Sequence, residues 1–171
     1  MNHELVSSAT DRANSIDAAG HYESTVEAMH GYYFEDLALG MSAAYGKTLT
    51  DADVLLFTGV SGDTNPLHQN SEFASCTPFG EPIVHGMLTA SLISTLIGTR
   101  LPGPGCIYMD QSLKFKVPVR VGDTVVARAV IISLDEERPY ATLHTTCEVG
   151  GEIVLEGEAK VKVPKKSNND E

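Results

Sequence analysis

The run from Val84 to Thr99 is the longest helical pattern in the chain, and it contains no Asp, Glu, Lys or Arg. Apolar residues recur with the helical period along one side, and apolar or small residues fill much of the other side. The sequence Leu101-Pro102-Gly103-Pro104-Gly105 ends the pattern. A helix this apolar all round is buried, so we expect the other elements to wrap around it.

Strand patterns dominate the rest of the chain. Alternating apolar residues predict an early strand at 43–48 and later strands at 107–117, 124–134, 140–149 and 152–163. In the last strand the residues expected on the core face are Ile153, Leu155, Ala159, Val161 and Val163. One buried helix against a long antiparallel sheet is an α+β architecture. The element order is that of a single hot-dog domain, whose open sheet edges favour a homodimer.

Length and charge narrow the function classes. The 171 residues suit one domain with a substantial core. The net charge of −11 argues against nucleic acid, which needs a basic surface, and against an anionic membrane. It leaves open an anionic ligand held by a local group of Lys or Arg. No apolar run is long enough to span a bilayer.

The termini and the cysteines set the domain limits and the compartment. Residues 1–30 are predicted to be a flexible extension with a short helix near 22–29, or else an arm that packs on a neighbouring subunit. The domain is expected at 31–164, and 165–171 form a solvated tail. Three widely spaced cysteines, without a leader pattern, favour a reducing compartment and the cytoplasm.

A carboxylate and an imidazole stand five residues apart, as Asp63 and His68. Pro66 keeps Asn65 out of the helical region, and Asn65 itself favours a turn. A tight turn can place both side chains on one water, which makes them a candidate acid–base pair. The alternative is that Asp63 only caps a turn and that His68 is an ordinary histidine at the edge of the core.

The start of the long helix is a second candidate. The amide of Gly86 lies in the first helical turn and has no partner within the helix, so it can bind a developing oxyanion. The alternative is a glycine required for close packing. Ser94 lies on a similar side of the helix and can donate to the site, or it can bond to its own helix. His85 is interpreted as structural.

These motifs together resemble the MaoC-like (R)-specific enoyl-CoA hydratases. The hydratase-2 motif matches Phe57 and then Ser61–His68, with Ala74 after a further gap. Residues 82–87, PIVHGM, match the start of that family's central helix, and residues 115–123, FKVPVRVGD, match a later segment. The resemblance runs from about 33 to 164, and the long N-terminal extension is the only departure.

The resemblance implies a reaction and a set of roles. Asp63 and His68 would activate a water that adds to C3 of a trans-2-enoyl thioester while a proton goes to C2. Gly86 N–H would bind the thioester oxygen, and Asn65 would support the pair. The family requires no metal or redox cofactor, and coenzyme A enters with the substrate.

Three other functions remain open at this point. They are a 3-hydroxyacyl dehydratase acting on acyl carrier protein, a hot-dog acyl-CoA thioesterase, and a non-catalytic acyl-thioester-binding module. The absence of Asp and Glu from 84–99 argues against the thioesterase, which usually draws its acid from that helix. The candidates for the coenzyme A phosphates are Arg100, Lys114, Lys116 and Arg120.

Overall fold

The computed structural model describes residue 25 and residues 27–166. The chain divides into two units, residues 1–30 and residues 31–171. In the first unit, residues 25 and 27–29 are helical, within the range where a short helix was predicted. The rest of the predicted extension and the last five residues of the predicted tail lie outside the described residues, so their flexibility stays a prediction.

Helices and strands of the second unit follow the predicted order. The helices are α1 (Asp51–Ser61), α2 (Ser71–Ser75) and α3 (Gly86–Thr99), with short 3-10 turns at Phe34–Asp36 and Pro66–His68. The strands are β1 (Ser42–Thr48), β2 (Ile107–Gln111), β3 (Lys114–Phe115), β4 (Thr124–Asp135), β5 (Tyr140–Val149) and β6 (Glu152–Lys162). Among the described residues, no helix is both long enough and apolar enough to cross a membrane.

The strands form one antiparallel sheet in the order β1-β4-β5-β6-β2, and β3 also pairs with β6. Helix α3 packs against β1, β4 and β5. Its buried side chains, Leu92, Ile93, Leu96 and Ile97 among them, join the apolar face of the sheet in one core. The predicted α+β architecture, with a sheet around a central helix, is confirmed.

The expectation that α3 is buried all round is wrong for the single chain. One sheet covers one side of the helix, while Met87, Ser94 and Gly98 remain exposed on the other. The physical reason is geometric, because the sheet contacts the helix from one side and leaves a stripe of small and apolar residues open. The stripe therefore has no covering within the described chain.

The predicted strand 107–117 is interrupted. Strand β2 ends at Gln111 and β3 begins at Lys114, because Ser112 leaves the regular ladder. Its N–H donates to Glu158 O (2.9 Å), and its hydroxyl accepts from Glu158 N (3.0 Å). A Cβ on Gly157 would overlap the Ser112 carbonyl oxygen, so a glycine is needed where the two backbones approach.

One predicted core residue of β6 is also misplaced. The register of β5 and β6 shifts between Cys147 and Glu148, which leaves an extra residue in β6. As a result Val154 is 3% exposed, whereas Ile153 is 37% exposed. The other predicted core residues of this strand are buried.

Candidate active site

Helix α1 immediately precedes the turn that contains Asp63. Thr50 and Asp53 form a capping box at its start, with Thr50 N–H donating to Asp53 Oδ2 (2.9 Å). The helix ends at Gly62, which adopts the left-handed conformation with φ of 76°. That reversal directs the following residues away from the helix axis and into a turn.

The turn closes through side-chain hydrogen bonds to its own backbone. Asp63 Oδ1 accepts from Asn65 N (3.2 Å), and Asn65 Oδ1 accepts from Leu67 N (3.1 Å). Pro66 then opens the 3-10 turn that carries His68. Asp63 Oδ2 consequently lies 3.9 Å from His68 Nε2. One carboxylate oxygen of Asp63 therefore caps the turn while the other faces the imidazole, and the acid–base role of the pair stays a prediction.

The tautomer of His68 follows from its partner. His68 Nδ1 lies 2.8 Å from Ile83 O, and a carbonyl oxygen only accepts, so Nδ1 carries the proton. Nε2 is then a lone-pair acceptor in neutral His68, and it faces Asp63. The His68 side chain is 9% exposed and that of Asp63 is 49% exposed, so a nearly buried imidazole faces a solvent-exposed carboxylate.

Ile83, which orients His68, is held by backbone pairing. It forms an isolated antiparallel bridge with Arg120, and Val84 N donates to Val119 O (2.8 Å). The Arg120 guanidinium also lies 2.6 Å from the Glu81 carboxylate. These contacts attach the segment before α3 to the loop before β4, which fixes the position of the Ile83 carbonyl.

Gly86 lies in the first turn of α3, as predicted, and is its first residue. Among the hydrogen bonds of the described residues, none uses the Gly86 amide. The ring of Phe115 packs on this glycine, and a Cβ at Gly86 would lie 2.8 Å from Phe115 Cε1. Close packing and a free amide, the two alternatives drawn from the sequence, are therefore both present.

His68 and Gly86 line one cavity of about 260 Å³. Thr89 is a further polar residue in its wall, and most other lining residues are apolar, including Phe79, Phe115, Val117, Val154 and Leu155. The imidazole and the helix N-terminus thus open onto the same apolar space. Asp63 does not line this space, but its carboxylate faces His68, which does.

His85, which the sequence analysis interprets as structural, contacts both Asp63 and His68. It is 1% exposed, and its ring centroid lies 3.8 Å from that of His68. Its Nε2 lies 3.2 Å from Asp63 O. Burial lowers the pKa of His85, and the hydrogen bond to Asp63 O opposes this only in part. In the sequence, the position of His85 directly before Gly86 was the one signal that it lies close to the site.

Asp63, His68 and His85 each offer an atom within 4.8 Å of the others, close enough to consider a metal ion. The two rings are stacked with an interplanar angle of 31°. Two of the four ring nitrogens, His68 Nδ1 and His85 Nε2, already lie within hydrogen-bond distance of backbone carbonyl oxygens.

Ser94 is not brought to this cavity. It lies on the exposed side of α3 and is absent from the cavity wall. Its hydroxyl makes no hydrogen bond among the described residues, whereas Ser91, Thr95 and Thr99 each donate to a carbonyl of the helix. The interpretation that Ser94 bonds to its own helix is therefore wrong, and its role in the site stays a prediction.

The four cationic candidates differ in their surroundings. Lys116 lines the cavity and pairs with Glu156 at 2.6 Å. Arg120 pairs with Glu81, as described above. Arg100 lies over the Tyr45 ring and donates to Ala44 O. Lys114 does not line this cavity, and its side chain makes no hydrogen bond or ion pair to another described residue.

The fold and the site together define a class of protein. A family model described as a MaoC like domain matches residues 38–149, and the chain belongs to this family. The arrangement of its sheet around the central helix is the hot-dog fold. The predicted family resemblance is confirmed.

Individual relatives are close. The chain is 53% identical over 133 residues to an (R)-specific enoyl-CoA hydratase of Rhodospirillum rubrum, covering 78% of this chain and 92% of that protein. It is 50% identical over 138 residues to a 3-hydroxybutyryl-CoA dehydratase of Methylorubrum extorquens, covering 81% and 88%. The solved (R)-hydratase of Aeromonas caviae, involved in PHA biosynthesis, matches with a TM-score of 0.74 and 48% identity, covering 76% and 99%.

Proposed function

We propose that this chain is a hydro-lyase, an (R)-specific 2-enoyl-CoA hydratase that converts trans-2-enoyl-CoA to (R)-3-hydroxyacyl-CoA. The observation that carries the proposal is the facing pair of Asp63 Oδ2 and His68 Nε2, 3.9 Å apart, beside an apolar cavity that Gly86 also lines. The names of the close relatives, which describe hydration or its reverse on CoA thioesters, support it.

The pair activates the water. A gap of 3.9 Å is too long for a direct hydrogen bond, but one water oxygen can contact both groups at about 2.8 Å. The lone pair of His68 Nε2 takes one proton of the water, and Asp63 Oδ2 accepts a hydrogen bond from the other. The hydroxyl adds to C3, and His68 delivers its proton to C2, so that one water is consumed and the enzyme is regenerated.

Gly86 stabilises the charge that develops on the thioester. As the hydroxyl attacks C3, electron density moves to the thioester oxygen. The unpaired Gly86 N–H lies at the positive end of α3 in a mostly apolar cavity, so it is suited to donate a hydrogen bond to that oxygen. Loss of one such donor typically costs about 10²–10³ in rate.

The carrier and the assembly are parts of the same proposal. Lys116 is the cationic candidate on the cavity wall, so we assign it to the coenzyme A portion of the substrate.

Two copies of the chain are expected to pair, because edge strand β2 exposes Ile107 and Met109 while α3 exposes Met87. A cytoplasmic location, and the absence of nucleic-acid and membrane partners, stay predictions.

The test is hydration of crotonyl-CoA followed by chiral analysis of the product. Loss of enoyl absorbance with formation of (R)-3-hydroxybutyryl-CoA is the expected result. Release of free thiol would instead indicate a thioesterase. Activity on a crotonyl carrier protein but not on crotonyl-CoA would indicate the carrier-protein dehydratase. Binding of crotonyl-CoA without turnover would indicate a non-catalytic module.

A further inference from the structure

The side chain of His85 connects the two halves of the site. Its backbone caps α3 immediately before Gly86, and its ring lies against His68 with a centroid separation of 3.8 Å. Its Nε2 lies 3.2 Å from the Asp63 carbonyl oxygen. One buried residue therefore touches both members of the proposed catalytic pair and precedes the proposed oxyanion donor.

The hydrogen bonds of His85 define its tautomer. Asp63 O can only accept, so Nε2 carries the proton and Nδ1 holds the lone pair. Nδ1 is buried and has no hydrogen-bond partner among the described residues. An unsatisfied buried polar atom costs about 1–3 kcal/mol, which an apolar ring at this position would avoid. Packing alone thus does not account for an imidazole here.

We infer that His85 is a positioning residue for the Asp63–His68 pair, an inference that rests on the proposed function. Its Nε2–H fixes the backbone of Asp63 at the start of the turn. The face of its ring, supported from another direction by Phe57 at 5.1 Å, fixes the plane of His68. Together with the bond from His68 to Ile83 O, this contact holds His68 Nε2 toward Asp63 Oδ2.

The two contributions can be separated by substitution in the full chain. His85→Phe keeps a ring against His68 but loses the donor to Asp63 O. His85→Gln keeps an N–H donor but loses the ring. Because small displacements of reacting groups are costly, each variant is expected to lower kcat for crotonyl-CoA about 10- to 100-fold with KM changed less than about threefold.

Thr58→Val is the matched control. The Thr58 hydroxyl lies 3.4 Å from His85 Nε2, which is a long contact, and its removal leaves the bond from His85 to Asp63 in place. Its kcat is expected to stay within about threefold of the wild-type value. Circular dichroism of each variant separates a loss of positioning from a loss of fold.

Nitrogen NMR of the histidine rings gives a readout that needs no substrate. Wild-type protein is expected to show His85 as the Nε2–H tautomer and His68 as the Nδ1–H tautomer, and each His85 substitution is expected to mix the His68 tautomers. An Nδ1–H tautomer at His85, or variants that keep both kcat and the His68 tautomer, would overturn the inference. Inactive wild-type protein with the expected tautomers would refute the proposed function instead.

Discussion

The Asp63–His68 turn and the start of helix α3 each bring one histidine to the site, in opposite surroundings. His68 uses Nδ1 for a backbone carbonyl and presents Nε2 to a half-exposed carboxylate. His85 uses Nε2 for a backbone carbonyl and leaves Nδ1 buried without a partner among the described residues. The unbonded nitrogen therefore faces the Asp63 carboxylate in His68, whereas in His85 it is buried.

The two regions also differ in how they are held. The turn depends on the side chains of Asp63 and Asn65, which bond to its own backbone. The approach to the helix depends on backbone pairing of Ile83 and Val84 with the loop before β4. Side-chain substitutions should therefore affect the turn directly, whereas the helix start should respond mainly to changes in its backbone.

The largest effect is expected in the turn. Asp63→Asn and His68→Gln retain size while removing the carboxylate and the basic nitrogen, so each should lower kcat for crotonyl-CoA hydration by about 10²–10⁴. Circular dichroism should show an intact fold. Near wild-type activity in either variant would remove that residue from the chemistry.

At the helix start the matched pair is Gly86→Pro and Gly86→Ala. Both add a Cβ against Phe115, but only proline removes the N–H. Proline suits the first helical position, and His85, with φ of −57° and ψ of 131°, already has the extended conformation required before proline. The proline variant should have a kcat about 10²–10³ below the alanine variant. Equal rates would exclude the amide as an oxyanion donor.

A pH series compares the two histidines through stability. Burial holds the pKa of His85 below its ordinary 6.5, despite the nearby Asp63, while His68 opposes protonation. Below pH 6.5 the unfolded chain takes up this proton before the folded chain does. The free energy of unfolding should therefore fall as pH drops from 6.5 toward the folded pKa, by at most about 1.4 kcal/mol per pH unit.

His85→Phe has no such group, so the fall should be smaller in this variant. Urea unfolding of both proteins at several pH values below neutrality measures the difference, and carboxylates that titrate at lower pH contribute equally to the two. Identical pH dependence in wild type and variant would show that His85 is not held neutral by burial.

The smallest effect is expected at Asn65. Asn65→Ala removes the cap on Leu67 N and should lower the free energy of unfolding by about 1 kcal/mol, with a moderate loss of kcat as the turn loosens. Asn65→Asp keeps an oxygen acceptor and should retain most of the stability. Urea unfolding with parallel kinetics measures both. An alanine variant as stable and active as the aspartate variant would contradict this account of the turn.

Local patterns were enough to predict most of the fold. The apolar run of α3 and the alternation in β5 both rest on short-range periodicity, and the structure has each of them. The failures arise where two strands meet. The break at Ser112 depends on the approach of Gly157, and the burial of Val154 depends on a register shift against β5. Neither contact leaves a signal in its own strand.

The site was predictable to the extent that its residues are close in sequence. Asp63, Asn65 and His68 lie in one turn, so residue type and spacing indicated them. The role inferred for His85 depends on a ring stack and a carbonyl contributed by residues 17 and 22 positions earlier in the chain. Ser94 is exposed in the described chain, and no short-range pattern in the sequence indicated this. Long-range packing of this kind cannot be read from a single sequence.

The most direct test of the account is a crystal structure of the Asp63→Asn variant with crotonyl-CoA bound. The account requires the turn and the helix start to act on one substrate. It predicts the thioester oxygen at about 3 Å from Gly86 N and C3 of the enoyl group facing residue 63 and His68. A thioester bound away from Gly86, or an acyl group directed away from His68, would contradict it.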